Sequence, residues 1–279
     1  MIGIVDVGGG MRGSFGAGVF DYCMQNHIEF DYVIGVSAGS ANAVAYLGHQ
    51  IGRNLRFYDE FSLRKDYMSL HNFIKTGSYI NLRYVYGTLS NEDGESPLDY
   101  PAMVKSGKTL RVVATQAATG TPFYFGLDDF HQNDYRPLDA SSCIPVINKP
   151  VELNGIQFFD GAFSDPIPVQ KAFNDGCDKV VVILTRPKTF YRDPAADKPA
   201  ALVLRHKYPE FAEVASHRAQ IYNKSLNLAK YYEDQGKALI VAPDSIEGMK
   251  SLEKDPKVID ALYQKGVKEA EHISDFLGG

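Results

Sequence analysis

Apolar positions along this chain repeat in two rhythms. A short run over 2–7 (Ile2, Ile4, Val5, Val7) ends in glycines and predicts a strand. Residues 14–25 then space Phe15, Val19, Tyr22 and Cys23 as one face of a helix. A second apolar run over 32–36 leads into the small-residue stretch 38–47, which suits a helix. Strand, helix, strand, helix at this spacing predicts βαβ units and a mainly parallel sheet. Strands are expected again over 110–115 and 122–126, around a Thr119-Gly120 turn. The runs 151–153 and 156–159 flank Asn154-Gly155, a hairpin signal because both turn positions need positive φ. Residues 179–184 and 238–241 complete the expected sheet.

Two long helices are expected at the end. One, over 211–232, carries Phe211, Val214, Ile221, Tyr222, Leu226 and Tyr232 on a single stripe. The other opens at Asp255-Pro256, an N-cap acid before a first-turn proline, and repeats Val258, Leu262, Val267, Ala270 and Ile273. Between strand 179–184 and these helices, Pro187, Pro194 and Pro199 precede Pro209, so this stretch reads as a loop or lid.

Composition narrows the class. The apolar share of 44% and charged share of 23% are those of a globular protein, and 279 residues allow one large domain. A net charge of −5 offers no general attraction to nucleic acid, and no nucleic-acid-binding motif is present. Cys23, Cys143 and Cys177 are odd in number and widely spaced, which favours free thiols. With no signal-peptide pattern and no apolar run near the roughly 20 residues of a membrane span, a cytoplasmic protein is expected.

The chemistry concentrates in glycine-flanked loops. Gly8-Gly9-Gly10-Met11-Arg12-Gly13 follows a strand and precedes a helix, where backbone N–H groups converge on an anion. That loop also fits the dinucleotide fingerprint G-x-G-x-x-G, although Glu29 and Asp31 precede the next strand rather than follow it. Gly35-Val36-Ser37-Ala38-Gly39 is a G-x-S-x-G pattern in a strand-turn-helix setting, which throws the serine outward as a nucleophile. Adjacent parallel strands would bring both loops to one sheet edge, a hydroxyl beside a set of N–H donors, as acyl transfer requires. None of the seven histidines sits in a glycine-rich or strand-end context. Asp160-Gly161-Ala162 ends an apolar run and, read alone, is a tight turn.

These motifs, in this order, resemble the signatures of patatin-like phospholipases, and the chain is most similar to bacterial members. Ala140-Ser141-Ser142-Cys143-Ile144-Pro145 resembles that family's block ahead of its catalytic aspartate. The likeness spans about residues 2 to 186. It implies a three-layer α/β/α fold with a mainly parallel central sheet and a helical C-terminal region. It also implies a Ser-Asp dyad in which Ser37 is the nucleophile and Asp160 the base, with an oxyanion hole at Gly8, Gly9 and Gly10. Arg12 takes the family's arginine position and is a candidate partner for a substrate phosphate. Val7 stands where many members have an acid.

The expected activity is therefore hydrolysis of phospholipid or lysophospholipid carboxylic esters through an acyl-enzyme, without cofactor or metal. The expected organisation is a core over 2–186, a loop or lid over 187–209, and a strand and helices over 210–279. Basic and apolar residues in 186–208 suit transient contact with a membrane surface. The rivals are an esterase or thioesterase with a Ser-His-Asp triad, a dinucleotide-binding protein using the Gly8-to-Gly13 loop, and a silent lipid-binding module. An ordinary triad esterase usually carries its oxyanion glycines further ahead of the nucleophile than the 27 residues from Gly10 to Ser37.

Overall fold

The computed structural model describes residues 1–278. β1 (Ile2–Asp6) lies between β2 (Tyr32–Val36) and β7 (Lys179–Ile183), parallel to both. β3 (Thr109–Gln116) and β8 (Ala238–Val241) extend this parallel block on either side. β4 (Pro122–Phe125), β5 (Val151–Leu153) and β6 (Ile156–Asp160) are antiparallel additions at the β3 edge, giving the order β5-β6-β3-β2-β1-β7-β8 with β4 on β3. The hairpin turn lies at Asn154-Gly155, both at positive φ.

Successive residues of a strand point to opposite faces, so β1 feeds two cores. Ile4 packs with Phe15 and Phe20 of α1 (Ser14–Gln25) and Val44 of α2 (Ala38–Leu47). Val5 packs instead with Val169, Leu226 and Ala229 from helices on the other face. The architecture is thus three-layered α/β/α with a mainly parallel sheet. The helix Pro256–Glu269 joins the first of these cores through α1. Glycines set the closeness of that crossing: a Cβ at Gly266 would collide with the Phe15 carbonyl, and one at Gly18 with the Tyr263 carbonyl.

Three expected elements differ. The stripe over 211–232 is carried by two helices, Pro209–Ser216 and Arg218–Asp234, broken at His217. There the Ser216 hydroxyl and His217 Nδ1 both turn to the Glu213 carbonyl (2.8 and 3.0 Å), competing for the backbone acceptor that would continue the helix. The final helix likewise ends at Glu269 and restarts as His272–Leu277. The proline-rich stretch is partly helical, with a 3-10 turn at Pro194–Asp197 and a helix at Lys198–Leu204. Its prolines at 194 and 199 sit in first turns, where a missing N–H costs nothing. Among the described residues no helix is long and apolar enough to cross a membrane.

Candidate active site

β2 ends at Val36, and the chain reverses into α2 through Ser37, whose φ of 56° and ψ of −129° are unusual for a residue with a Cβ. Contacts on every side hold this strained turn. The Ser37 amide donates to Ser141 Oγ (2.9 Å), whose own hydroxyl donates to the Val113 carbonyl (2.6 Å). The Ser37 carbonyl accepts from Ser40 Oγ at 2.6 Å. A Cβ at Gly35 would strike the Ser40 backbone and one at Gly39 the Asp6 carbonyl, so the two flanking glycines of the motif are steric requirements.

Asp160 closes β6 and meets the serine: Ser37 Oγ donates to Asp160 Oδ2 at 2.6 Å. The other carboxylate oxygen accepts the Ala162 amide at 2.8 Å. The Asp160 backbone is pinned too, its amide to the Cys143 carbonyl (2.8 Å) and its carbonyl to Thr115 Oγ1 (2.9 Å). Ser37 is 5% exposed and Asp160 3%, so water screens neither. Burial raises the Asp160 pKa above the ordinary carboxylate value, while the bonds from Ser37 and Ala162 and the charge of Arg218 oppose the rise. No histidine forms a hydrogen bond with Ser37 or Asp160 among the described residues. Cys143 is buried behind Asp160, and its thiol pKa is pushed up by desolvation.

The glycine loop lies against this elbow. Gly8, Gly9 and Gly10 all have positive φ (62°, 123° and 62°), and a Cβ at Gly8 would collide with the Val36 carbonyl. Their amides differ in what they can do. Gly8 N–H is already given to Asp6 Oδ1 at 2.9 Å. The amides of Gly9 and Gly10 have no partner in the described chain. Asp6 itself is fully buried, also accepts from Asn42 Nδ2 (2.8 Å), and has a pKa raised by desolvation to about 6. Asn42 in turn accepts from the Tyr58 hydroxyl at 3.1 Å. Sequence reasoning passed over Asp6. Its signal was an acid ending an otherwise apolar strand directly before the glycines.

Arg12 is 8% exposed and donates from Nη1 to Ser251 Oγ at 2.7 Å, while its Nε has no partner. Ser251 also accepts the Met11 amide on its carbonyl at 3.0 Å, so the C-terminal region closes over the loop. Beside Ser37 opens a cavity lined largely by apolar side chains that include Ala41, Val44, Leu82, Val85 and Leu252. Arg53 lines its wall, held by Ser90 Oγ and the Ser96 carbonyl (both 2.9 Å). Among the described residues no cluster of His, Cys, Asp or Glu could hold a metal ion.

The patatin-like phospholipase family profile matches residues 7–173, more than half of the chain and all the loops just described. The chain belongs to that family. A second match, to a domain of unknown function (DUF6363), covers residues 208–277, which contribute Ser251 and Arg218. The chain is 32% identical over 198 residues to the uncharacterized protein YjjU of Escherichia coli strain K12, covering 69% of this chain and 54% of that protein. It thus spans about half the length of that relative. Among solved structures it resembles VipD from Legionella pneumophila, with a TM-score of 0.53 and 14% identity over 98% of this chain and 66% of that one. That likeness is one of fold. It extends the patatin-like architecture across the C-terminal helices.

Proposed function

We propose that this protein hydrolyses carboxylic esters of phospholipids or lysophospholipids through an acyl-enzyme, with a Ser37-Asp160 dyad in the core 2–186. The observation that carries this reading is the 2.6 Å bond from Ser37 Oγ to Asp160 Oδ2 on a strained strand-to-helix turn. In this mechanism Asp160 takes the Ser37 proton as Oγ attacks the ester carbonyl. The Gly9 and Gly10 amides then donate to the tetrahedral oxyanion, and the positive end of α2 adds to the field there. Asp160 returns the proton to the departing alcohol, and a water deprotonated by the same carboxylate releases the fatty acid. The apolar cavity receives the acyl chain, and Arg12 offers charge to a substrate phosphate.

An aspartate is a weak base for a serine hydroxyl, and its environment supports the role. Burial raises its basicity, while the backbone donors stabilise the charge that the transfer creates. The test is hydrolysis of a p-nitrophenyl ester series by wild type, Ser37→Ala and Asp160→Asn, with a fluorophosphonate probe alongside. Turnover and labelling in wild type, both lost in Ser37→Ala, with Asp160→Asn nearly inactive, is the expected result. A folded wild type that neither turns over nor labels would end this reading, and loss of turnover in a histidine variant as complete as in Ser37→Ala would end the dyad.

A further inference from the structure

None of the residues lining the apolar cavity belongs to the group of arginines that gathers beside the glycine loop. Arg12, Arg186, Arg192 and Arg218 are close enough for their charges to act on one another. Burial first, and then the charges of Arg186, Arg192 and Arg218, lower the Arg12 pKa to about 10. Two carboxylates bear on the group: Asp197 accepts from Arg192 Nε and Nη2 at 2.9 and 2.7 Å and stands 3.6 Å from Arg218 Nη1, and Asp160 lies close enough to feel the Arg218 charge. Arg12 and Arg186 form no ion pair among the described residues. Arg12 keeps an unpartnered Nε although only 8% exposed, on the edge of the guanidinium that faces Gly9: a Cβ there would sit 3.2 Å from Arg12 Nη2. Arg186 lies with its guanidinium carbon 4.0 Å from the centre of the Phe190 ring, and its N–H groups make no hydrogen bond within the described chain. Arg218 ties the group to the dyad, donating from Nε to the Ala162 carbonyl at 3.0 Å, two residues beyond Asp160.

Four buried or half-buried cations around two acids, Asp197 and Asp160, leave an excess of positive charge in a poorly solvated place. Such an arrangement is costly unless an anion completes it. The planar N–H forks of arginine match the oxygens of a phosphate, and a dianion answers the imbalance better than a monoanion. A zwitterionic head would bring a further cation into the same space. We propose that Arg12, Arg186, Arg192 and Arg218 form a subsite for a dianionic phosphomonoester, borne on the alcohol side of the scissile ester. This rests on the hydrolase reading above, with the acyl chain in the apolar cavity and the head group across the dyad from it.

The test has two arms, one free of turnover. Calorimetric titration with glycerol 3-phosphate asks whether the arginines hold a phosphomonoester at all. Fatty-acid release from detergent mixed micelles of phosphatidate, phosphatidylglycerol or phosphatidylcholine, each rate normalised to p-nitrophenyl butyrate turnover by the same protein, asks whether the bearer is a lipid. Wild type is expected to bind glycerol 3-phosphate and to favour phosphatidate over both other lipids by about tenfold or more. In Arg186→Gln both binding and preference should fall about tenfold, with partial recovery in Arg186→Lys, which keeps the charge but not the fork. Binding without lipid preference assigns the subsite to a soluble phosphate ester. Equal use of phosphatidate and phosphatidylglycerol with no binding of glycerol 3-phosphate, or a preference untouched in Arg186→Gln, overturns the proposal. Absence of p-nitrophenyl turnover sinks the hydrolase reading alone, because the titration still reports on the arginines.

Discussion

The carboxylate of Asp6 accepts the Gly8 amide at 2.9 Å from within the core, so a residue with no exposure shapes the loop that faces Ser37. With Gly8 anchored, the next two amides are left without partners. Replacing Asp6 with alanine removes the anchor, and one misdirected oxyanion donor costs about a hundredfold in kcat. We therefore expect Asp6→Ala to lower kcat by about tenfold to a hundredfold with little change in KM. An unchanged kcat in a folded Asp6→Ala protein would separate Asp6 from the loop's function.

The pH profile should report the buried base. Asp160 acts only when ionised, and burial lifts its pKa above the ordinary aspartate range. Activity on a p-nitrophenyl ester is thus expected to fall toward acid with an inflection above the usual aspartate range. Asp6, with a pKa of about 6, also ionises above the usual aspartate range. An inflection at or below about 4 would contradict the desolvation of the dyad.

Stability should respond to pH in the direction unusual for carboxylates. Burial raises Asp6, Asp21 and Asp165 to about 6 and Asp139 to about 7. The unfolded chain loses these protons near 3.8, so between that value and about 7 the folded protein binds more of them. Their contribution is complete below the unfolded pKa and is lost as pH rises through the folded ones. Carboxylates held low, such as Glu29 and Glu95, lie at the surface, where solvent weakens their opposing effect. The melting temperature should fall by several degrees between pH 5 and pH 8, and Asp139→Asn, whose parent carboxylate has an unpartnered Oδ1, should flatten that fall. A melting temperature that rises over this range would refute the assignment.

The cavity predicts chain-length selectivity. Val85 is 1% exposed on its wall, and phenylalanine there would fill space an acyl chain needs. Each excluded methylene is worth about 1–3 kcal/mol in a fitted apolar pocket. Val85→Phe should lower the ratio of long-chain to short-chain p-nitrophenyl ester turnover by about tenfold. An unaltered ratio would place the acyl chain elsewhere.

Much of the frame was legible because its signals are local. The β1 and β2 runs, the Asn154-Gly155 hairpin and the glycines around Ser37 are each specified by residues a few positions apart. Helix ends were harder: the break at His217 depends on Ser216 and His217 side chains competing for one carbonyl, which an apolar stripe does not report. Nothing local in the Gly8-Gly9-Gly10 run tells its three amides apart, whereas in the fold Asp6 accepts the first of them.

By itself the sequence determined the alternating α/β frame, the sharp turn at Ser37 and the order of the motifs, since steric limits on φ and apolar periodicity act over short stretches. Only the tertiary structure decided what meets at the site. Ser37 finds Asp160 across 123 positions and Arg12 finds Ser251 across 239. Such pairings follow from which strands neighbour each other in the sheet and how tightly the layers exclude water, and these depend on the whole chain packing at once.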